Sequence, residues 1–81
     1  MHLSIITPSR TVFKGEVDNG TFPGTQGRFH VLKNHAPTVS SLTAGELKYT
    51  IGTEVLTLQI RYGFVSINKN EIKVLCETQI G

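Results

Sequence analysis

Apolar and polar residues alternate along most of this chain. In residues 45–51, GELKYTI, Leu47, Tyr49 and Ile51 alternate with Glu46, Lys48 and Thr50. In 53–61, TEVLTLQIR, Leu56, Leu58 and Ile60 alternate with Val55, Thr57, Gln59 and Arg61. In 71–77, EIKVLCE, Ile72, Val74 and Cys76 alternate with Glu71 and Lys73. A period of two sends successive side chains to opposite faces, which is the pattern of half-buried antiparallel strands. Weaker strands are predicted at 2–7, 12–17, 20–22, 28–32, 38–42 and 63–67. Turn-forming residues fall between them, at 7–9, 23–27, 34–37, 43–45, 51–53, 62–63 and 68–70, where φ preferences and local hydrogen bonds reverse the chain. No ten-residue window carries a helical stripe, so no long helix is predicted. The expected fold is all-β: one domain over 1–81, a flattened two-layer β-sandwich or barrel of about ten short antiparallel strands.

Length narrows the picture. A chain of 81 residues is a single small domain that buries only about 60% of its unfolded surface, leaving little room for a deep pocket beside a core. Phe22, Phe29, Phe64 and Tyr49 are read as that core. Charge narrows it further. Eight basic residues are scattered singly among six acids for a net charge of +2. Nucleic-acid binding calls for a dense basic stripe, so no nucleic-acid partner is expected. The single cysteine, Cys76, has no internal disulfide partner, which favours a reducing compartment. His2, His30 and His35 are dispersed, with no cysteine beside them, so no metal site is expected. No apolar run reaches the ~18 residues of a membrane span, and the start lacks a signal-peptide pattern. The reading is of a soluble domain that meets a membrane only through partners.

The candidate chemistry centres on KNHAPTVS, residues 33–40. His35 as a base would have Thr38, Ser40 and Ser41 nearby in sequence. A catalytic triad also needs an orienting third group and an oxyanion hole, and no Gly-x-Ser-x-Gly elbow is present. His35 therefore reads as a structural or interface residue. The GTQG stretch, 24–27, lacks the spacing, the lysine and the following helix of a phosphate loop. It reads as a tight turn with Gly24 and Gly27 at positive φ. The glutamates read as solvated strand faces or strand ends. No catalysis and no cofactor are expected.

The ordered set of segments resembles the epsilon subunit of F-type ATP synthases over essentially all 81 residues. PGTQGRFHVLKNHAP (23–37) is similar to that family's Gly-x-x-Gly turn, short strand and Gly-His-Ala-Pro. HLSIITPSRTVFKGEV resembles its first hairpin, LTAGELKY (42–49) its Leu-x-x-Gly turn, and IRYGFVSINKNEIKVLCETQI its closing hairpins with their apolar ending. The resemblance implies a non-catalytic rotor subunit at the foot of the central stalk. Its partners would be the gamma subunit, the c subunits of the membrane rotor ring and, indirectly, the rest of the catalytic sector. It would help couple proton flow to ATP synthesis from the cytoplasmic face of the bacterial inner membrane. Residues His35, Ala36, Pro37 and Thr38 would then face gamma, and Gln26, Arg28 and His30 the ring. Proline fixes φ and restricts the residue before it, so the NHAP corner should be stiff.

Some positions depart from the family pattern. Asn34 stands where glycine is usual, and asparagine tolerates the left-handed region. Arg61-Tyr62-Gly63 replaces a pair of glycines, and Arg28 occupies a position that is often acidic. The 81 residues end at Gly81, before the helical hairpin the family would add, so its inhibitory and nucleotide-sensing behaviour is not expected of them. The alternative reading is a stand-alone β-sandwich binding a ligand or carbohydrate. Such a module would want exposed aromatics, and only Phe22, Phe64 and Tyr62 could be spare, with no tryptophan.

Overall fold

A computed structural model of the chain describes residues 1–78. They form eight strands: β1 (His2–Ile6), β2 (Thr11–Glu16), β3 (Asn19–Gly24), β4 (Gly27–Val31), β5 (Thr38–Leu42), β6 (Gly45–Ile51), β7 (Glu54–Asn68) and β8 (Glu71–Thr78). Strand neighbours run β2-β1-β8-β7-β5-β3-β4, and β6 pairs with both β3 and β7. One layer is β2-β1-β8-β7-β5 and the other is β7-β6-β3-β4. They share β7 and meet again where Gly24 pairs with Leu42.

The core lies between the layers. Leu3, Ile5, Val65, Ile67, Ile72, Val74 and Cys76 come from one inner face, and Phe22, Val31, Leu47, Tyr49 and Ile60 from the other; all are buried. Phe13 leans on Tyr49 with ring centroids 4.6 Å apart, and Phe22 on Phe29 at 5.6 Å. Covering each such aliphatic or aromatic side chain contributes about 1.5–3 kcal/mol, which is the main force joining the layers.

The strand count and one pairing differ from expectation. There are eight strands among the described residues, not about ten, because Tyr62-Gly63 is no turn. The segments around it form one strand of 15 residues. Its buried positions fall on Ile60, then on Gly63, Val65 and Ile67, so the inward parity flips between Ile60 and Gly63. A β-bulge makes the flip: Ile60 faces Thr78 and Tyr62 faces Glu77, placing an extra residue on β7. An extra residue bends a strand and re-aims its side chains, which lets β7 leave one layer and enter the other with its apolar residues still on the core. Gly63 sits at the crossing. A Cβ there would lie 2.5 Å from the Leu75 carbonyl oxygen and 2.8 Å from Cys76 Cβ.

The sheet is also not wholly antiparallel: β1 pairs with β8 in parallel, from His2↔Glu71 to Ile6↔Leu75. Phe64 is not core but 60% exposed, since it shares parity with Tyr62 rather than Val65. In GTQG, Gly27 has φ 129° as expected, but Gly24 ends β3. Its glycine is required by close approach, as a Cβ would meet the Gly27 carbonyl oxygen at 2.7 Å. Ile80, the apolar residue closing the family-like ending, lies outside the described residues.

Candidate docking surface

The NHAP corner joins β4 to β5. Asn34 has φ 66°, the left-handed conformation anticipated for asparagine at this turn. Its N–H donates to Asn70 Oδ1 at 2.9 Å, and the His35 N–H donates to the Leu32 carbonyl at 3.2 Å. The Ala36 carbonyl accepts twice, from His35 Nδ1 at 2.8 Å and from Thr38 Oγ1 at 3.0 Å. A carbonyl can only accept, so the Nδ1–H tautomer is the one present in this geometry. His35 and Thr38 are half-buried, and Ala36 and Pro37 are exposed. Thr38 and Ser40 both donate to carbonyl groups, Ser40 to that of Ser41 at 2.9 Å. The imidazole is thus turned onto its own backbone, and this braces a corner rather than activating a hydroxyl.

The second corner, GTQG, joins β3 to β4. The Thr25 N–H donates to the Ser41 carbonyl at 3.0 Å, and the two hydroxyls meet at 2.7 Å. Gln26 and Arg28 are exposed, and exposed His30 has its Nδ1 2.8 Å from Thr21 Oγ1. Strands β4 and β5 run between the two corners. The separation is not complete: Gln26 and Thr38 border one shallow, largely polar depression of about 370 Å³.

The sequence reading missed the outer face of the β1-β8-β7-β5 layer. Phe64 lies opposite Leu75 on one side and Ser41 on the other, and Leu75 lies opposite Ile6. Tyr62, Phe64, Leu75 and Ile6 are all exposed and wall an open, mostly apolar groove of about 440 Å³ with Pro8. A pair of solvent-facing aromatics beside a leucine is unusual on a small free-standing domain and marks a surface that something covers. In the structure Phe64 and Leu75 point opposite to their buried neighbours Val65 and Gly63, Val74 and Cys76. Phe22, one of three aromatics that could have served a carbohydrate site, is fully buried.

The Cys76 thiol lies beneath the groove, its pKa raised by burial and then by the charge of Glu77. Tyr49 is raised by burial. Glu16, at the far end of β2, is lowered by its hydrogen bond from His2 and by the N-terminal ammonium. No group of three or more histidine, cysteine or acidic side chains able to hold a metal ion occurs among the described residues.

The family model for the ATP synthase delta/epsilon chain beta-sandwich domain matches residues 1–81. This chain belongs to that family. Curated relatives named ATP synthase epsilon chain include that of Leptospira interrogans, 39% identical over 77 residues, and that of Dehalococcoides mccartyi, 40% identical over 78. These matches cover 95% and 96% of this chain but 61% and 56% of the relatives, so the chain spans little over half their length. Among solved structures, a chain of the Euglena gracilis mitochondrial ATP synthase (OSCP/F1/c-ring) superposes with a TM-score of 0.85 at 25% identity. That match covers 91% of this chain and 48% of the other. A chain from the central stalk/c-ring structure of the Tetrahymena thermophila enzyme has a TM-score of 0.82 at 15% identity, covering 95% and 63%, and so shares the fold. The eight-strand architecture with its bulged β7 is therefore this chain's form of the delta/epsilon β-sandwich.

Proposed function

We propose that these residues are the β-sandwich domain of a non-catalytic central-stalk subunit of a proton-translocating F-type ATP synthase. In this reading the domain docks the gamma subunit, rests against the c subunits of the membrane rotor ring and meets the rest of the catalytic sector through gamma. It sits peripherally at the cytoplasmic face of a bacterial inner membrane. No helix among the described residues is long and apolar enough to cross a membrane, which suits attachment through partners. The observation that carries the reading is the apolar groove of Tyr62, Phe64, Leu75 and Ile6, on an outer sheet face that also exposes Val39 beside Thr38; in this reading gamma covers that face together with the corner. A surface of that kind gains free energy when a partner covers it. Braced corners at both ends of β4 suit a domain that transmits force, because rigid elements lose little entropy on docking.

The family resemblance supports gamma as the partner of the His35–Thr38 corner and the ring as the partner of Gln26, Arg28 and His30. The test is co-elution of the chain with a gamma-containing catalytic sector from which epsilon has been removed. Retention at micromolar concentration, with no ATP hydrolysis by the chain alone, is the expected result. Failure to bind that sector, or intrinsic hydrolysis, overturns the reading.

A further inference from the structure

We infer that Asn70 is a positioning residue, which holds the NHAP corner in its docking conformation from the adjoining β7–β8 hairpin. The inference rests on the proposed gamma contact of that corner. The Lys69-Asn70 pair closes the β7–β8 hairpin, where Asn68 lies opposite Glu71. Both residues have positive φ, 50° and 61°, as a two-residue type I′ loop requires. The Asn70 side chain reaches the β4–β5 connection, which enters the neighbouring strand β5 at the same end of the sheet. There Asn70 Oδ1 accepts the Asn34 N–H at 2.9 Å, and Asn70 Nδ2 donates to Asn34 Oδ1 at 3.4 Å. The Asn70 carbonyl meanwhile accepts the His2 N–H at 2.9 Å. One residue thus ties together the start of β1, the β7–β8 hairpin and the corner.

The corner's other side-chain and turn bonds run within itself, from His35 to Leu32 and from His35 and Thr38 to Ala36, while its Thr38 end enters β5 opposite Ile67. They fix its internal shape. The tie to Asn70 anchors the opposite, Asn34 end to the β7–β8 hairpin. The tie is solvent-exposed, where water competes for both partners, so its effect falls on the population of the docked-ready corner rather than on global stability. Affinity for a partner scales with that population. If removing the amide leaves the corner in place about one-fifth of the time, apparent affinity falls about fivefold.

The choice of variants separates positioning from mere turn chemistry. Asn70→Gly keeps the positive φ the hairpin needs and removes both side-chain bonds. Asn70→Asp also tolerates that φ and keeps an acceptor oxygen for the Asn34 N–H. Both are made in the chain as it stands, and read by amide exchange in NMR and by affinity for the gamma-containing sector. The expected result for Asn70→Gly is Asn34 amide exchange at least tenfold faster, unchanged protection in β7 and β8, and about fivefold weaker binding. Asn70→Asp should restore Asn34 protection and most of the affinity. Unchanged Asn34 exchange in Asn70→Gly, or equal affinity losses in the two variants, overturns the inference. Ala36→Arg keeps the parent reading separately testable. If it binds normally, the corner is not a gamma contact; if it binds weakly while Asn70→Gly binds normally, only the positioning role fails.

Discussion

Replacing Phe64 with threonine should separate docking from folding. Phe64 is 60% exposed; on a side chain that buries roughly 200 Å² when covered, about 120 Å² remains for a partner to cover. At about 25 cal/mol per Å², that area is worth about 3 kcal/mol. Threonine retains a little of it, so the loss is about 2–3 kcal/mol, or roughly 30- to 160-fold in Kd. The figure is a ceiling, since ordering costs at an interface absorb part of buried-area energy. A loss of at least about tenfold is expected. Folding should respond far less. What the variant gives up in the free domain is the cross-strand contact with Leu75 and Ser41, about 0.2–1 kcal/mol, and threonine keeps good strand propensity. The assay pairs urea denaturation with titration calorimetry against the epsilon-depleted, gamma-containing sector. A folded Phe64→Thr chain binding within twofold of the parent would refute the reasoning. So would a stability loss above about 3 kcal/mol, the size expected when a buried core residue is truncated.

Gly63→Ala should be costly, because its Cβ would meet the Leu75 carbonyl oxygen at 2.5 Å and Cys76 Cβ at 2.8 Å. Overpacking of this kind costs about 1–3 kcal/mol, and a melting temperature lowered by less than about 3 °C would contradict it. Cys76 gives a pH prediction: burial and then Glu77 raise the thiol above its ordinary 9.0. A raised folded pKa supplies stability that is present below the unfolded value and lost as pH rises through the folded one. Cys76→Ala should therefore lose less of its own urea midpoint between pH 8 and pH 11 than the parent does, and an identical loss would count against it. Arg28 is exposed and forms no ion pair with a carboxylate among the described residues. If it meets the rotor ring, Arg28→Glu should lower coupled ATP synthesis and loosen membrane attachment, more so at low salt. Normal coupling at both ionic strengths would leave it a plain surface residue.

How legible each element was depended on how local its determinants are. β6 and β8 could be read directly because one face meets the core and the other water, which imprints strict alternation on 45–51 and 71–77. β7 could not. Its alternation changes phase between Ile60 and Gly63, and a glycine beside a break in pattern reads equally as a turn. What makes it a bulge is its register against β8, where Thr78 and Glu77 at the far end of the hairpin face Ile60 and Tyr62. The parallel β1–β8 pairing was hidden because no local pattern encodes a partner near the other end of the sequence. The corners were legible because Pro37 restricts the backbone by itself and Asn34 and Gly27 tolerate the positive φ their turns need; the role of Gly24 was not, because it comes from close approach of Gly27. The apolar groove was not, because Phe64-Val65 and Val74-Leu75-Cys76 look like strands buried on both faces. Only the layer arrangement reveals that one face stays open.

The parallel seam between β1 and β8 also imposes an order in time. β1 can form a hairpin with β2 as soon as both are synthesised, but its other edge is covered only when β8 arrives. The roughly 65 intervening residues take on the order of 3 to 13 s to translate. Through that interval an apolar strand carrying Leu3 and Ile5 presents unpaired N–H and C=O groups, the kind of edge that recruits other chains. β8 is therefore the closing strand of nascent folding. A ribosome that stalls before Glu71 releases a chain with two open edges, on β1 and on β7, and such a product is a substrate for chaperones and proteases rather than for assembly.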